Sequence, residues 1–309
     1  MRRFQALTLI AGLCIGAAAQ AQVSEFMHTP AMGTNDITVH GGYALGTTGR
    51  NFGNIASESD INGVRELGVG WMYGYGEVWS FGGDIAYSNL DTDPGKSDGL
   101  EPIRLFGAGR RQVGTGTIFY GLRAQFAVVN AKLDVNGASS ESNRTYGDIL
   151  SNIGEGGFEL APWIGWQMPA GPGVFGARVS YEVVNTDTDV KLRGVVGGVN
   201  STVDVTGSIK GGSEGQAAVF YEFNVGDMPL GAALTYDFYS KIEQDFENAG
   251  IIASDIGARS LIGVNLYTRL NFGGFGFIPS LVWREKVSSG NDIDKLSDVR
   301  LNLAGRFSF

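Results

Sequence analysis

Residues 65–75 read RELGVGWMYGY: Leu67, Val69, Trp71, Tyr73 and Tyr75 take every second place, with Gly68, Gly70, Met72 and Gly74 between them and Glu66 just ahead. A period of two belongs to an extended strand whose successive side chains point to opposite faces. One face of this strand is therefore apolar and aromatic, the other small or charged. The alternation recurs in twelve blocks of about ten residues, at 37–45, 65–75, 77–89, 101–113, 116–128, 157–168, 173–185, 215–226, 229–241, 260–272, 274–286 and 298–309. Tight turns near Gly76, Gly114, Pro169 to Pro172, Gly226 and Gly273 alternate with polar connections of roughly 9 to 30 residues. Short, long, short, long is an all-β, up-and-down antiparallel meander.

The composition of each face decides where water is. Five positions on the apolar phase of each block give sixty sites, and Arg111, beside a turn, is the single charged residue among them. Four positions on the other phase give forty-eight sites, of which eleven are charged: Asp84, Arg104, Arg110, Arg123, Glu159, Arg178, Glu182, Glu222, Asp237, Arg269 and Arg306. In a soluble barrel the apolar phase would fill the interior, and twelve strands of Phe, Tyr and Trp would overfill it. Turned inside out, the pattern has no such conflict, because lipid accepts bulky apolar groups and a wet lumen accepts ions. Residues 37–309 are thus predicted to form a transmembrane barrel of about twelve strands, the short turns lying on the periplasmic side. Tyr73, Tyr75, Trp79, Phe81, Phe119, Tyr120, Trp166, Tyr221, Phe223, Phe272, Phe275 and Phe277 are expected as an aromatic girdle near those turns, with Tyr43, Tyr87, Tyr181, Phe238 and Trp283 as a sparser upper set.

The chain opens with Arg2 and Arg3, an apolar run over residues 7–19, then Ala19, Gln20 and Ala21. That order predicts a cleaved export leader at 1–21. Cleavage reduces 23 basic residues to 21 against 32 acidic ones, a formal charge of −11. So acidic a surface argues against nucleic acid as a partner. The sole cysteine, Cys14, leaves with the leader, so disulfide, thiolate-metal and cysteine-nucleophile chemistry is not expected. Residues 22–36 form an N-terminal periplasmic segment, either a free tail or a stretch tucked into the lumen; the sequence leaves both open. The 48 glycines, about twice the usual share, fall often on the lumen phase, as at Gly68, Gly121, Gly165, Gly176 and Gly231, where missing side chains permit coiling and leave space inside.

The last strand, Leu301-x-Leu303-x-Gly305-x-Phe307-x-Phe309, resembles the C-terminal strand of bacterial outer-membrane β-barrel proteins. The resemblance implies an outer-membrane location among lipids and lipopolysaccharide, and delivery by the barrel-assembly machinery through that strand. Among porin-like members it also implies a charged pore lining.

Catalysis finds little support. Outer-membrane hydrolases need a histidine with a serine or carboxylate beside it. His28 precedes the first strand, and His40 sits on the lumen phase with no partner that the sequence places next to it, so it reads as a bystander. Glu182 and Glu222 with Arg178 on one face read as a wall ion-pair network rather than an acid pair. Asp91, Asp93 and Asp98 do not have the spacing of a calcium loop. No catalytic, metal or cofactor-binding residue is therefore assigned. Arg104, Arg110, Arg123, Arg269 and Arg306 occupy one arc of the wall and Glu159, Glu182, Glu222 and Asp237 another. In a wet lumen such segregation would set up a transverse field; in a filled one the charges would interdigitate. The glycines favour a narrow pore, and the function expected is passive diffusion of small hydrophilic solutes or ions. The alternative is a non-conducting barrel with adhesive, receptor or structural loops. Two loops stand out: 130–156, read either as a solvated flexible loop or as one whose residues 145–153 form a short helix folded into the mouth, and 186–210, expected to extend its strands as a hairpin whose apolar edge is exposed.

Overall fold

The computed structural model describes residues 24–50, 61–92, 95–126, 131–135, 138–142, 158–184, 188–195, 202–211, 213–247, 258–289 and 293–309. They form a closed, twelve-stranded antiparallel barrel. The strands are β1 (Asn35–Arg50), β2 (Ile61–Tyr75), β3 (Trp79–Thr92), β4 (Gly95–Leu100 and Ile103–Val113), β5 (Gly116–Phe126 and Ala131–Val135) and β6 (Ala138–Ser142 and Phe158–Ala170). They continue as β7 (Gly173–Tyr181, Val183–Val184 and Thr188–Val195), β8 (Thr202–Gly211 and Glu214–Val225), β9 (Met228–Tyr239 and Ile242–Glu247), β10 (Arg259–Thr268 and Leu270–Phe272), β11 (Phe275–Ser289) and β12 (Ile293–Ser308). Each pairs with the next in sequence, and β1 closes on β12 with Val39 opposite Gly305. A closed sheet has no edge, so the ladder leaves no unpaired backbone facing hydrocarbon.

The register carries the inside-out pattern around the wall. Leu67 (65% exposed), Val69, Trp71, Leu105, Leu122, Ile164, Val179, Leu234, Leu266, Leu281 and Leu301 face outward, whereas Ala44, Ala86, Ala161, Ala218 and Ala233 are buried inside. The five short turns close on Gly76, Gly114, Gly171, Gly226 and Gly273, whose φ values of 59° to 67° only glycine adopts without strain. Of the expected girdle, Tyr75, Trp79, Phe81, Tyr120, Trp166, Phe223 and Phe272 are exposed, as is the whole upper set. Phe119 is a correction: it lies on the inward phase of β5, fully buried.

Beyond the membrane the wall continues as paired extensions. Thr188–Val195 and Thr202–Gly211 form the hairpin expected between β7 and β8. Its edges are not open, however, because Ala138–Ser142 pairs with one side and Ile242–Glu247 with the other. This removes the exposed edge that suggested an adhesive surface. The stretch expected as a loop from residue 130 begins with two strand segments, Ala131–Val135 and Ala138–Ser142, paired to each other. Residues 145–153 and the leader at 1–21 lie outside the described residues.

Candidate functional site: the lumen and its plug

Chain direction places the first element of the site. Immediately before β1 the chain reverses at Gly33 (φ 76°), where the Gly33 N–H donates to the Gly74 carbonyl at 2.8 Å. Gly74 is required by close approach: a Cβ there would lie 2.0 Å from the Ala31 carbonyl oxygen. The turn sends residues 24–28 across the barrel interior, ending in a 3-10 turn, Glu25–Met27. Of the two arrangements left open for residues 22–36, residues 24–28 take the one inside the lumen, while Ala31, Met32 and Gly33 are exposed at the turn.

This plug meets the wall on several sides. Ser24 donates from its backbone N and its Oγ to Gln167 Oε1 of β6 at 3.2 and 3.0 Å. The Glu25 N–H donates to Glu222 Oε2 of β8 at 2.7 Å. The Glu25 carboxylate takes Arg269 of β10 at 2.8 Å on one oxygen and Arg306 of β12 at 2.5 Å on the other. Phe26 packs on the Phe220 ring, 4.9 Å between centroids, and lies 6.2 Å from Tyr267. Met27 joins Phe119, Phe220 and Ala233 in a buried cluster, with Trp163 against it. His28 Nε2 lies 2.6 Å from Asp36 Oδ2, and Arg110 donates to Thr29 Oγ1 at 3.3 Å and to the Glu77 carbonyl at 3.1 Å. Neutralising two arginines with one carboxylate, and burying Phe26 and Met27, fixes the segment by charge and by apolar area together.

The lumen glycines do not leave the space expected of them; neighbouring strands fill it. A Cβ on Gly68 would fall 2.4 Å from the His40 ring, one on Gly121 2.4 Å from Trp163 Nε1, one on Gly176 2.3 Å from the Phe220 ring, and one on Gly231 2.1 Å from the Tyr267 ring. Gly165 likewise seats the Met27 methyl, 2.2 Å from where its Cβ would stand. Each missing side chain is a seat for a large one in the facing position.

All eleven charged residues named from the sequence lie on the inward phase, and most are paired. Asp84 Oδ1 forms an ion pair with Arg104, 2.6 Å from its Nε, and Asp84 Oδ2 meets His40 Nε2 at 2.8 Å; Arg104 also reaches Glu101 at 2.9 Å. Arg123 pairs with Glu182, and Gln125 donates to Glu159. Gln216 donates to Asp237 at 2.9 Å, with Arg284 3.9 Å from the same carboxyl. The charges thus interdigitate between strands. The wall network expected of Arg178 with Glu182 and Glu222 does not form: Glu182 goes to Arg123, Glu222 to the plug, and Arg178 stands over the Trp163 ring at 4.7 Å. Register explains it, since Arg178 lies opposite Ala218, four residues from Glu222 along β8.

Several participants escaped the sequence reading. Glu66, which brackets His40 with Asp84 (3.2 Å to Nδ1), Arg284, Arg300 and Glu214 share the inward phase but lie one or two rows beyond the four counted per strand. Extending the count along each strand would have found them. Glu25, outside any alternating block, gave no such signal. His40 has carboxylates on both sides, and none of its described bonds goes to a hydroxyl.

No protein-family model and no curated relative matches the chain. Among solved structures it is similar to the translocator domain of the autotransporter NalP from Neisseria meningitidis (12% identity, 98% of each chain covered, TM-score 0.55). It is also similar to the COG4313 outer membrane channel from Pseudomonas putida F1 (10% identity, 94% of this chain and 100% of that one, TM-score 0.58). A third is the Ralstonia pickettii toluene transporter TbuX (10% identity, 93% and 94% covered, TM-score 0.52). At these identities the shared property is the fold, that of bacterial outer-membrane β-barrels. Barrels of this shape include channels and translocators, and none of the three is described as an enzyme.

Proposed function

We propose that this barrel is an outer-membrane channel for passive diffusion of small hydrophilic solutes or ions, narrowed at its periplasmic end by its own residues 24–28. The observation that carries the reading is the nature of the obstruction. What narrows the short-turn end, together with wall rings such as Phe119 and Phe220, is a separate stretch of chain docked by side-chain bonds and two ion pairs. Above it Arg104, Arg123, Glu182, Asp237 and the other inward charges offer a hydrated, ionic lining. Permeation runs down a gradient with no covalent step and no cofactor. The outward face takes lipid and, in the outer leaflet, lipopolysaccharide, and the strand ending at Phe309 presents the barrel-assembly machinery with its signal.

Single-channel recording in planar bilayers tests this with the whole barrel and with a variant lacking residues 24–28. We expect small or rare steps from the former and larger, steadier ones from the latter. Silence from both, with correctly folded protein, would leave the second reading: a closed barrel serving as receptor, adhesin or envelope scaffold through its loops. The packed cluster of Met27, Phe119 and Phe220 is the observation that favours that alternative.

A further inference from the structure

The plug does not fill the lumen. Over it lies a cavity of about 300 Å³, with Phe26 and Met27 at its base and Phe106, Trp163, Arg123 and Arg178 on its walls. Arg123 is matched by Glu182, Arg104 by Asp84 and Glu101, and Arg269 and Arg306 by Glu25. Arg178 differs: among the described residues no carboxylate lies within ion-pair distance of it, and its Nε is buried with no hydrogen-bond partner. Its one contact of note is the Trp163 face, and the edge of that indole occupies the space a side chain at 121 would need. A guanidinium that is half-buried, with its Nε shielded and no counter-charge of its own, is costly, whereas the second guanidinium facing the cavity, Arg123, already has Glu182.

We propose that this cavity binds a small monocarboxylate with an apolar body. The carboxylate would lie on the Arg178 fork, whose planar donors match it two to two, and the body between Trp163, Phe106 and the plug's Phe26. The other end of the cavity sets the charge limit. Glu182 and Glu214, joined through a backbone bond from the Glu182 N–H to the Glu214 carbonyl at 2.6 Å, stand four residues farther from the plug along β7 and β8. A second carboxylate on the ligand would meet them, so dicarboxylates are disfavoured. The inference deepens the channel reading by naming a solute class, yet binding can be measured without conduction.

Saturation-transfer NMR on the full detergent-solubilised barrel, with benzoate, butyrate, succinate and benzyl alcohol as probes and protein-free micelles as blank, tests the site. Benzoate and butyrate should bind saturably and succinate and benzyl alcohol should not. Arg178→Gln should weaken benzoate about tenfold, the scale of one charge-assisted hydrogen-bonded contact, and Arg178→Lys, which keeps the charge but not the planar fork, should lose a smaller part of the binding. Both variants remove no ion pair seen in the fold, and heat-modifiable gel mobility verifies that each is folded. Equal benzoate binding by Arg178→Gln, or succinate binding as tightly as benzoate, overturns the proposal. A barrel that conducts potassium chloride but binds no benzoate sinks the site alone, and one that binds benzoate but never conducts sinks the channel alone.

Discussion

Two glycines on adjacent strands separate the roles that small residues play in this wall. Gly121 points inward, where a Cβ would stand 2.4 Å from Trp163 Nε1 and 2.6 Å from the Gly107 carbonyl oxygen; Gly107 points outward, where a Cβ would meet nothing within 4 Å. Gly121→Ala should therefore lower stability by about 1–3 kcal/mol through overpacking. Gly107→Ala should be neutral or stabilising by up to about 1 kcal/mol, since alanine loses less chain entropy on folding. Equilibrium urea unfolding in phospholipid vesicles reads both, and equal effects would contradict the seating of Trp163. Phe220, 2% exposed under Phe26, belongs to the same scale. Phe220→Ala should cost about 3 kcal/mol, by lost transfer energy and the cavity left behind.

At the scale of elements, the plug is the segment whose removal changes behaviour without breaking the fold. Among the described residues none of the wall's ladder bonds runs through 24–28; the plug's polar ties are to side chains of β1, β6, β8, β10 and β12. Glu25→Gln leaves the Arg269 and Arg306 guanidinium groups facing each other without their shared carboxylate. In bilayer recordings the variant should open more often than the parent, with a conductance approaching that of the barrel lacking the plug. An unchanged open fraction would show that apolar contacts of Phe26 and Met27 alone hold the segment. The element scale is also where the two halves of the β7–β8 hairpin find neighbours on both flanks, so that an edge open in isolation becomes one panel of a continuous wall.

For the whole molecule, inverted polarity makes depth in the membrane the variable that governs tolerance. Leu234, 54% exposed midway along β9, faces the middle of the hydrocarbon, whereas Val225 lies beside the Gly226 turn. Leu234→Arg should destabilise the barrel by about 2–4 kcal/mol and Val225→Arg by no more than about 1 kcal/mol, again by urea unfolding in vesicles. Similar costs at both positions would place the membrane elsewhere on the wall. The interior follows a different rule: its charges are tolerated because Asp84, Glu182 and Asp237 meet arginines of other strands, Glu101 meets Arg104 of its own, and the plug's Glu25 meets Arg306.

The amino-acid order alone determined the barrel, its twelve strands, its short turns and which phase faces lipid, because a period of two with one ion among the apolar sites is a local property that every strand repeats. Leu67 to Tyr75 already contains it. What the lumen holds was decided only in three dimensions. Whether Gly121 leaves a gap or a seat depends on Trp163 standing opposite on β6, and whether Arg269 and Arg306 line a pore or clamp a plug depends on Glu25, distant in the chain. Those pairings are set by the register of closure and by a turn at Gly33, and no periodicity within a strand records which side chain will arrive from across the barrel.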